Sequence, residues 1–306
     1  MRVLKFIVIL FLFILLTVLS QVGGIVLLLW LVVFSFFKQK LVTPWIKRGT
    51  NIGGFIIFYL LFNILVIPPL ALIQGRVSLP FSKSGNLVPV TYWTAIFNRN
   101  YITIEGRDKL VEISNEFVKK HPSLKVKYMD CNYPFRFYNS HTTSGIPFIE
   151  GLFPHFTHTG DKADVALIYN DENGNASNLT PTAIGYGSSV EPLKGEPGYF
   201  DPKCGCITKT PDQKKGKDGV PCICDNSPTL KIFRMYSFMY RNIPINKKIT
   251  LNNEDSRALI KEFIKVDKKI ILEAHLRERL NILRFSYGNH TCKSVRHDDH
   301  FHVNFD

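Results

Sequence analysis

The sequence predicts a single α+β domain with a central antiparallel sheet, placed behind an N-terminal helical transmembrane segment. Two observations predict this class. The stretch from Phe6 to Phe37 has no charged residue, and no acidic residue occurs in the first 75 positions. After it, helical and strand-like apolar patterns alternate without an internal repeat, over a length that is ample for one core. We therefore expect a membrane anchor at residues 1–75, a connector at 76–100 and an exported domain at 101–306.

The uncharged stretch from Phe6 to Phe37 covers 32 residues. One helical span needs about 20 residues and two need about 40. A bend near Gln21 to Gly24 would divide the stretch into a compact hairpin, and Ile52 to Ile73 offers a further span. The anchor therefore has two or three helices in the lipid bilayer. A cleaved signal peptide is not expected, because the apolar run continues far beyond any plausible processing site.

Basic residues flank these spans, and the positive-inside rule places such flanks in the cytoplasm. They are Arg2, Lys5, Lys38, Lys40, Lys47 and Arg48. Cytoplasmic placement of both groups requires the hairpin, and it directs the last span outward. We therefore expect a protein of the cell (inner) membrane whose C-terminal domain faces the periplasm or the exterior.

All six cysteines follow the membrane segment, and an even number in an exported domain suits disulfide bonds. They are Cys131, Cys204, Cys206, Cys222, Cys224 and Cys292. The two Cys-x-Cys pairs, 204/206 and 222/224, could instead hold a second, structural metal ion, and the sequence does not choose between these alternatives. We expect a bridge between Cys131 and Cys292.

The net charge of the chain is +13, of which about +7 belongs to the part after residue 75. A basic surface suits an anionic polymer, but it is also typical of a solvated face. The sequence contains no nucleic-acid-binding motif, so no nucleic-acid partner is expected.

Helical spacing of apolar residues predicts helices over residues 107–120 and 254–266. The first ends at His121-Pro122, and Asn252 or Asn253 can cap the second. Alternating or continuous apolar runs predict the strands. These strands cover residues 125–129, 163–169, 270–272, 282–285 and 300–303.

Three of the nine histidines lie within six positions near the C-terminus, at His297, His300 and His302. Imidazole is the commonest transition-metal ligand in proteins. If residues 300–303 are extended, His300 and His302 share one face, while Phe301 and Val303 share the other. His297 reaches the same pocket only from a preceding turn. The terminal segment therefore predicts a metal centre.

A catalytic zinc site needs about three protein ligands and one open position, so further ligands should lie upstream. The best candidates lie between Pro154 and Val165. There Asp164 begins an apolar strand, where a carboxylate is costly to bury without a cation or hydrogen-bond donors. Gly160 allows the chain to turn so that His158 can fold back beside Asp164.

Together these two segments resemble a metallopeptidase group that includes lysostaphin-type enzymes, D-Ala-D-Ala peptidases and hedgehog-type domains. The shared pattern is a histidine, a turn containing glycine, an aspartate and a distant His-x-His. The ending from His297 to Val303 is most similar to that of penicillin-insensitive murein endopeptidases. The resemblance covers these two short motifs and their order, together with the segment from Ile271 to Leu276, and it excludes the membrane segment.

The resemblance implies that His158, Asp164 and His302 bind Zn²⁺. It implies that His300 is the catalytic base or a stabiliser of the transition state, and that His297 is a further active-site histidine. The family has two residues between its first histidine and the glycine, whereas one residue separates His158 from Gly160. Either this turn is shorter, or His155 replaces His158 as the ligand.

The function that the resemblance implies is a zinc-dependent peptidase that hydrolyses peptidoglycan cross-link peptides outside the cytoplasmic membrane. Two alternatives remain open. The first is a binding module of the same fold that keeps the metal without hydrolysis. The second is a membrane-anchored structural protein without a metal site.

Overall fold

The computed structural model describes most of the membrane segment and much of the domain. The described residues are 2–40, 43–135, 162–182, 185, 190, 200–201, 206–207, 243–266, 270–272, 274–282 and 300–305. Within them, the helices are α1 (Arg2–Ser20), α2 (Gly23–Phe37), α3 (Pro44–Leu65), α4 (Ile67–Ile73), α5 (Tyr92–Ile96), α6 (Ile104–Lys120), α7 (Asn253–Val266) and α8 (Ala274–Arg279). The strands are β1 (Arg76–Ser78), β2 (Leu87–Pro89), β3 (Tyr101–Thr103), β4 (Val126–Tyr128), β5 (Lys162–Ala166), β6 (Tyr169–Asn170), β7 (Ala176–Ser177), β8 (Phe200–Asp201), β9 (Cys206–Ile207), β10 (Thr250–Leu251), β11 (Ile270–Ile271) and β12 (His300–Asn304).

Among the described residues, three helical segments are long and apolar enough to cross a membrane: Val3–Ser20, Gly23–Lys40 and Pro44–Ile73. Helices α1 and α2 are separated at the predicted bend, and the three candidate spans agree with the larger of the two predicted numbers. The chain reverses at Gln21, whose φ of 65° lies in the left-handed region. Gly24 then allows close packing, because a Cβ there would lie 2.6 Å from the Phe13 carbonyl oxygen.

The turn between α1 and α2 is bonded to the domain. The Gln21 side chain donates to the Phe135 carbonyl (2.8 Å) and accepts from the Phe135 N–H (3.0 Å). The Tyr133 hydroxyl donates to the Val18 carbonyl at 2.6 Å. The turn and the domain therefore lie at the same end of the helical bundle.

Near the end of α3, a second set of hydrogen bonds joins the bundle to the domain. The Tyr59 hydroxyl donates to the Ile96 carbonyl at 2.7 Å, and the Asn98 amide donates to the Asn63 side-chain oxygen at 2.9 Å. A buried apolar cluster that includes Val26, Ile67 and Tyr101 continues this contact.

The central sheet has five strands in the order β11-β12-β5-β4-β2. The α+β class is confirmed, but the predicted antiparallel sheet is wrong in one respect: β2 pairs with β4 in parallel, so the sheet is mixed. A parallel pair needs a long crossover, and the chain from β2 to β4 supplies one that contains α5, β3 and α6. The segment 76–100, expected to be a connector, therefore contributes a strand to the central sheet.

One face of this sheet forms the main core with α6 and α7. Phe117 of α6, Phe263 of α7 and Phe301 of β12 are all fully buried in it. Helix α6 extends the predicted 107–120 helix by three residues at its start, where the Thr103 hydroxyl accepts from the Gly106 N–H at 3.1 Å. The other face of the sheet carries the residues of the candidate site.

The remaining predictions have mixed outcomes. Helix α7 matches the predicted 254–266 helix, and the Asn252 side chain caps it by accepting from the Asp255 N–H at 2.9 Å. Of the predicted strand at 282–285, only Ile282 belongs to the described residues, and it follows a turn after α8.

Cys131 is a free thiol at 1 % exposure, so the predicted bridge from Cys131 to Cys292 is wrong. The backbone of residue 131 is fixed inside the core, where its N–H donates to the Arg99 carbonyl at 2.8 Å. Cys292 lies outside the described residues, as do Cys204, Cys222 and Cys224. Only the backbone of Cys206 is described, so both alternatives for the Cys-x-Cys pairs stay predictions.

Candidate metal centre

The pairing of β5 with β12 creates the candidate metal centre. These strands are antiparallel, with His302 opposite Asp164 and His300 opposite Ala166. Because side chains alternate along a strand, Asp164, His300 and His302 emerge from the same face of the sheet. Two remote parts of the sequence therefore supply one cluster.

The ligand atoms of Asp164, His300 and His302 all lie within 4.8 Å of one another. His302 Nδ1 lies 2.5 Å from Asp164 Oδ1, and His300 Nε2 lies 3.6 Å from Asp164 Oδ2. The two imidazole rings meet nearly at right angles, with centroids 5.1 Å apart. The carboxylate therefore faces both imidazoles.

Burial makes the negative charge of Asp164 energetically costly. Asp164 is 3 % exposed and His300 is 2 % exposed, while His302 is half-buried. An ionised carboxylate is costly to bury unless cations or hydrogen-bond donors receive it. The neighbouring Cys131 thiol is affected too: burial, followed by the Asp164 and Asp130 charges, raises its pKa well above the usual range.

These three donors suit a divalent transition metal, since two imidazole nitrogens and one carboxylate oxygen are ordinary zinc ligands. Tetrahedral ligands at zinc distances lie about 3.3 Å apart. The separation of 3.6 Å between His300 Nε2 and Asp164 Oδ2 is close to that value, whereas the 2.5 Å separation between His302 Nδ1 and Asp164 Oδ1 is shorter. Asp164 Oδ1 is buried, so a cation bound between these two atoms would offset the cost of burying the carboxylate charge.

The opposite face of β12 fixes the position of the imidazoles. Phe301 and Val303 are fully buried in the core, and the Phe301 ring packs edge-to-face on Phe263 with centroids 5.2 Å apart. Residues 300–304 also pair with β5 over their whole length. Because a strand cannot slip without exposing these apolar side chains, the histidines are held in register with Asp164.

The structure brings together three of the five residues that the sequence proposed for the site. They are the proposed ligands Asp164 and His302 and the proposed base His300. His158, its alternative His155, and His297 lie outside the described residues, so their predicted roles stay predictions.

Two charged residues near the site were missed by the sequence analysis. Asp130 is 3 % exposed and forms an ion pair with Arg99, and its carbonyl accepts from the Asp164 N–H at 2.8 Å. Lys127 of β4 is 3 % exposed on the same sheet face as the metal cluster. The alternation in residues 125–129 indicated that Lys127 points to the face opposite Val126 and Tyr128. It did not indicate that other parts of the chain bury this face.

Comparison with known proteins gives no assignment: no family model matches the chain, and no curated protein matches it at a significant level. The metal cluster itself is therefore the observation from which a function has to be argued.

Proposed function

We propose that the protein is a membrane-anchored zinc metallopeptidase that hydrolyses peptidoglycan cross-link peptides outside the cytoplasmic membrane. The observation that supports a metal-dependent reaction is the buried cluster of Asp164, His300 and His302. The likeness of its sequence motifs to murein endopeptidases supports the choice of zinc and of a peptide substrate. The three apolar helices and their basic flanks support the location.

In this proposal Asp164 and His302 bind the ion from adjacent strands, and His158 supplies the third ligand. The bound zinc ion would lower the pKa of a coordinated water towards neutrality and polarise the scissile carbonyl. Asp164 neutralises part of the ionic charge, and its buried position keeps its two oxygens aimed at the imidazoles. His302 is the more exposed imidazole, so it lies nearer to solvent than His300.

His300 acts as the general base in this proposal. Its Nε2 faces Asp164 Oδ2 at 3.6 Å, so the carboxylate favours the protonated imidazole that forms when His300 accepts a proton. The same nitrogen then returns the proton to the leaving amine. His297 acts as a further active-site residue.

The burial of His300 and Asp164 favours a second candidate function, a metal-containing binding module without hydrolysis. Structural zinc sites are closed by protein ligands, whereas catalytic sites keep one open position. Two side chains at 3 % exposure or less are more typical of a closed site. In that case His300 is a metal ligand rather than a base.

Metal analysis of the full-length protein in detergent tests the metal centre. After dialysis against metal-free buffer we expect about one zinc ion per chain, and its loss in His302→Ala. His121→Ala is the matched control, because His121 pairs with Asp255 on the opposite side of the sheet, away from the cluster. Zinc-free wild-type protein, or retention of zinc in His302→Ala, would contradict the proposed centre.

Hydrolysis is tested by incubating the same zinc-loaded protein with cross-linked muropeptides and measuring new termini by mass spectrometry. The peptidase proposal expects cleavage by the wild type, with loss of cleavage but retention of zinc in His300→Ala. Zinc loss in His300→Ala would instead identify His300 as a ligand. A wild type that binds zinc and muropeptides without cleaving them would establish the binding module.

A further inference from the structure

Lys127 is an unusual residue in the central sheet, since a lysine at 3 % exposure is rare without a charged partner. Its neighbours Val126 and Tyr128 point into the core, so Lys127 points to the other face of β4. The pairing of β4 with β5 and of β5 with β12 places Lys127, Ala166 and His300 in one row across that face. At the usual strand spacing, the Cα atoms of Lys127 and His300 are therefore about 10 Å apart.

Lys127 lines a cavity of about 580 Å³, which we call the lysine cavity. Its polar lining includes Lys83, Lys125, Lys127, Thr180, Thr182 and Asn246. A cluster of Val90, Met129 and Ala166 lies on the sheet between this cavity and the metal centre. The lysine cavity is therefore a separate site on the same face.

The described lining of the lysine cavity contains three lysines and no carboxylate. Lys127 Nζ donates to the Leu179 carbonyl at 3.0 Å, and in the described part of the chain no acidic group faces it. An ammonium has three donors, so Lys127 keeps donors for a ligand. The Lys125 side chain bonds the backbone of Lys83, since its Nζ donates to the Lys83 carbonyl at 2.5 Å.

The surroundings of Lys127 disfavour its positive charge. Burial, followed by the charge of Lys83, lowers the pKa of the Lys127 ammonium to about 8. The amine is still mostly protonated at neutral pH, so a positive charge is kept in a position that disfavours it. An anion in the cavity would relieve this cost.

We propose that the lysine cavity binds an anionic oxyacid group, a phosphate or a carboxylate, with Lys127 at its base and Lys125 and Lys83 at its rim. The Asn246 side-chain amide supplies a neutral donor of the kind that completes such sites, since its oxygen, not its NH2, bonds the Lys248 N–H. The group belongs either to a free small anion or to an acidic part of the polymer that the metal centre engages. Only this second source depends on the proposed function.

Inorganic phosphate and acetate are the probes for the test, in thermal unfolding of the full-length protein in detergent. Each replaces chloride at constant ionic strength, because ionic strength alone alters exposed charge interactions. We expect a saturable rise in melting temperature with at least one probe, lost in Lys127→Met and kept in Lys119→Met. Lys119 is an exposed residue of α6 outside the cavity, which makes it a matched control.

The result must not depend on the metal centre, because phosphate can also bind zinc. We therefore expect the same rise in His302→Ala. A wild type without a saturable response to either probe, a Lys127→Met protein that responds like the wild type, or a response that disappears in His302→Ala would overturn the proposal.

Muropeptide binding distinguishes the two sources of the anion. Binding that weakens at least tenfold in Lys127→Met, but not in Lys119→Met, identifies the acidic group as part of the wall peptide. Unchanged muropeptide binding together with lost phosphate binding identifies a free anion. Because phosphate binding is measured without catalysis, failure of the peptidase proposal leaves this result interpretable.

Discussion

Asp164 joins the two imidazoles of the candidate centre, since it faces both His300 and His302. Asp164→Asn keeps the size of this side chain but removes its charge. We expect the zinc affinity to fall by at least about 100-fold, because an amide is a poor ligand for zinc. Competition with a chromogenic chelator measures this affinity.

The control for this change is Asp108→Asn, which alters an exposed carboxylate on α6. Its zinc affinity should equal that of the wild type. If Asp164→Asn binds zinc as tightly as Asp108→Asn does, Asp164 is not a ligand.

Lys127 gives a prediction about pH. Its pKa is about 8 in the folded protein and about 10.4 when unfolded. Below pH 8 the Lys127 amine is charged in both the folded and the unfolded protein, so the folded state bears the full free-energy cost of burying the charge. Between pH 8 and 10.4 the unfolded chain binds more protons than the folded protein. The destabilisation caused by Lys127 therefore decreases as the pH rises through this range. We therefore expect Lys127→Met to be about 1–2 kcal/mol more stable than the wild type at pH 7, and this gain to disappear near pH 10.

Thermal melting of both proteins between pH 6 and 10 in chloride buffer measures this difference. The gain is smaller than the full pKa shift implies, because the Leu179 carbonyl loses its donor. Lys119→Met should show no pH-dependent gain. A constant difference between Lys127→Met and the wild type across this range would refute the assigned pKa.

At the scale of single elements, β12 performs two roles, with histidines on one face and core residues on the other. Phe301→Ala should destabilise the domain by about 3–5 kcal/mol, because it leaves a cavity against Phe263. Loss of the Phe301 ring should also reduce zinc retention, because the ring helps to hold β12 in register with β5, and this register positions the ligands.

Phe81→Ala is the control for the strand variant, because Phe81 is 64 % exposed. It should change stability by less than about 0.5 kcal/mol. Differential scanning calorimetry of the three proteins at equal detergent concentration tests this. Equal melting temperatures for Phe301→Ala and Phe81→Ala would show that β12 is not part of the cooperative core.

The elements that the sequence predicted best are those with strong periodicity. Helices α6 and α7 and strand β12 each present a regular apolar face, and each is found within a few residues of its expected bounds. The parallel pairing of β2 with β4 was missed, because a strand of three residues has no detectable period and its partner lies far along the chain. For the same reason, the sequence predicts only a connector over residues 76–100.

The residues of the candidate site were likewise predictable only where a local pattern exists. Period-two alternation was enough to place His300 and His302 on one face. Their pairing with Asp164 depends on strand register, which the sequence suggested only through its resemblance to known motifs. The burial of Lys127 depends on segments from distant parts of the chain, among them residues 178–182 and Asn246, so no local pattern could reveal it.

At the scale of the whole molecule, the bundle and the charges make a joint prediction about orientation. The turn at Gln21 contacts the domain, so both must lie on one side of the membrane, and the basic loop at Lys38–Lys40 lies at the other end of α2. With this arrangement, the positive-inside rule predicts that the domain lies outside. This orientation is part of the proposed function.

Cysteine labelling in intact cells or spheroplasts tests the orientation. Ser82→Cys should react with a membrane-impermeant maleimide, whereas Gln39→Cys should react only after lysis. Both positions are exposed, and the parent protein reports the background from native thiols. Labelling of Gln39→Cys but not Ser82→Cys in intact cells would reverse the topology.

The hydrogen bonds of Gln21, Tyr133, Tyr59 and Asn63 have a consequence for the reach of the protein. An enzyme on a flexible stalk explores a hemisphere, whereas a domain seated on its own helices stays at one height above the lipid headgroups. Under the proposed function, the candidate metal centre would then meet only those molecules that enter a thin layer next to the bilayer. A polymer substrate would have to be delivered to that layer, and lateral diffusion of the anchor would be the means of search.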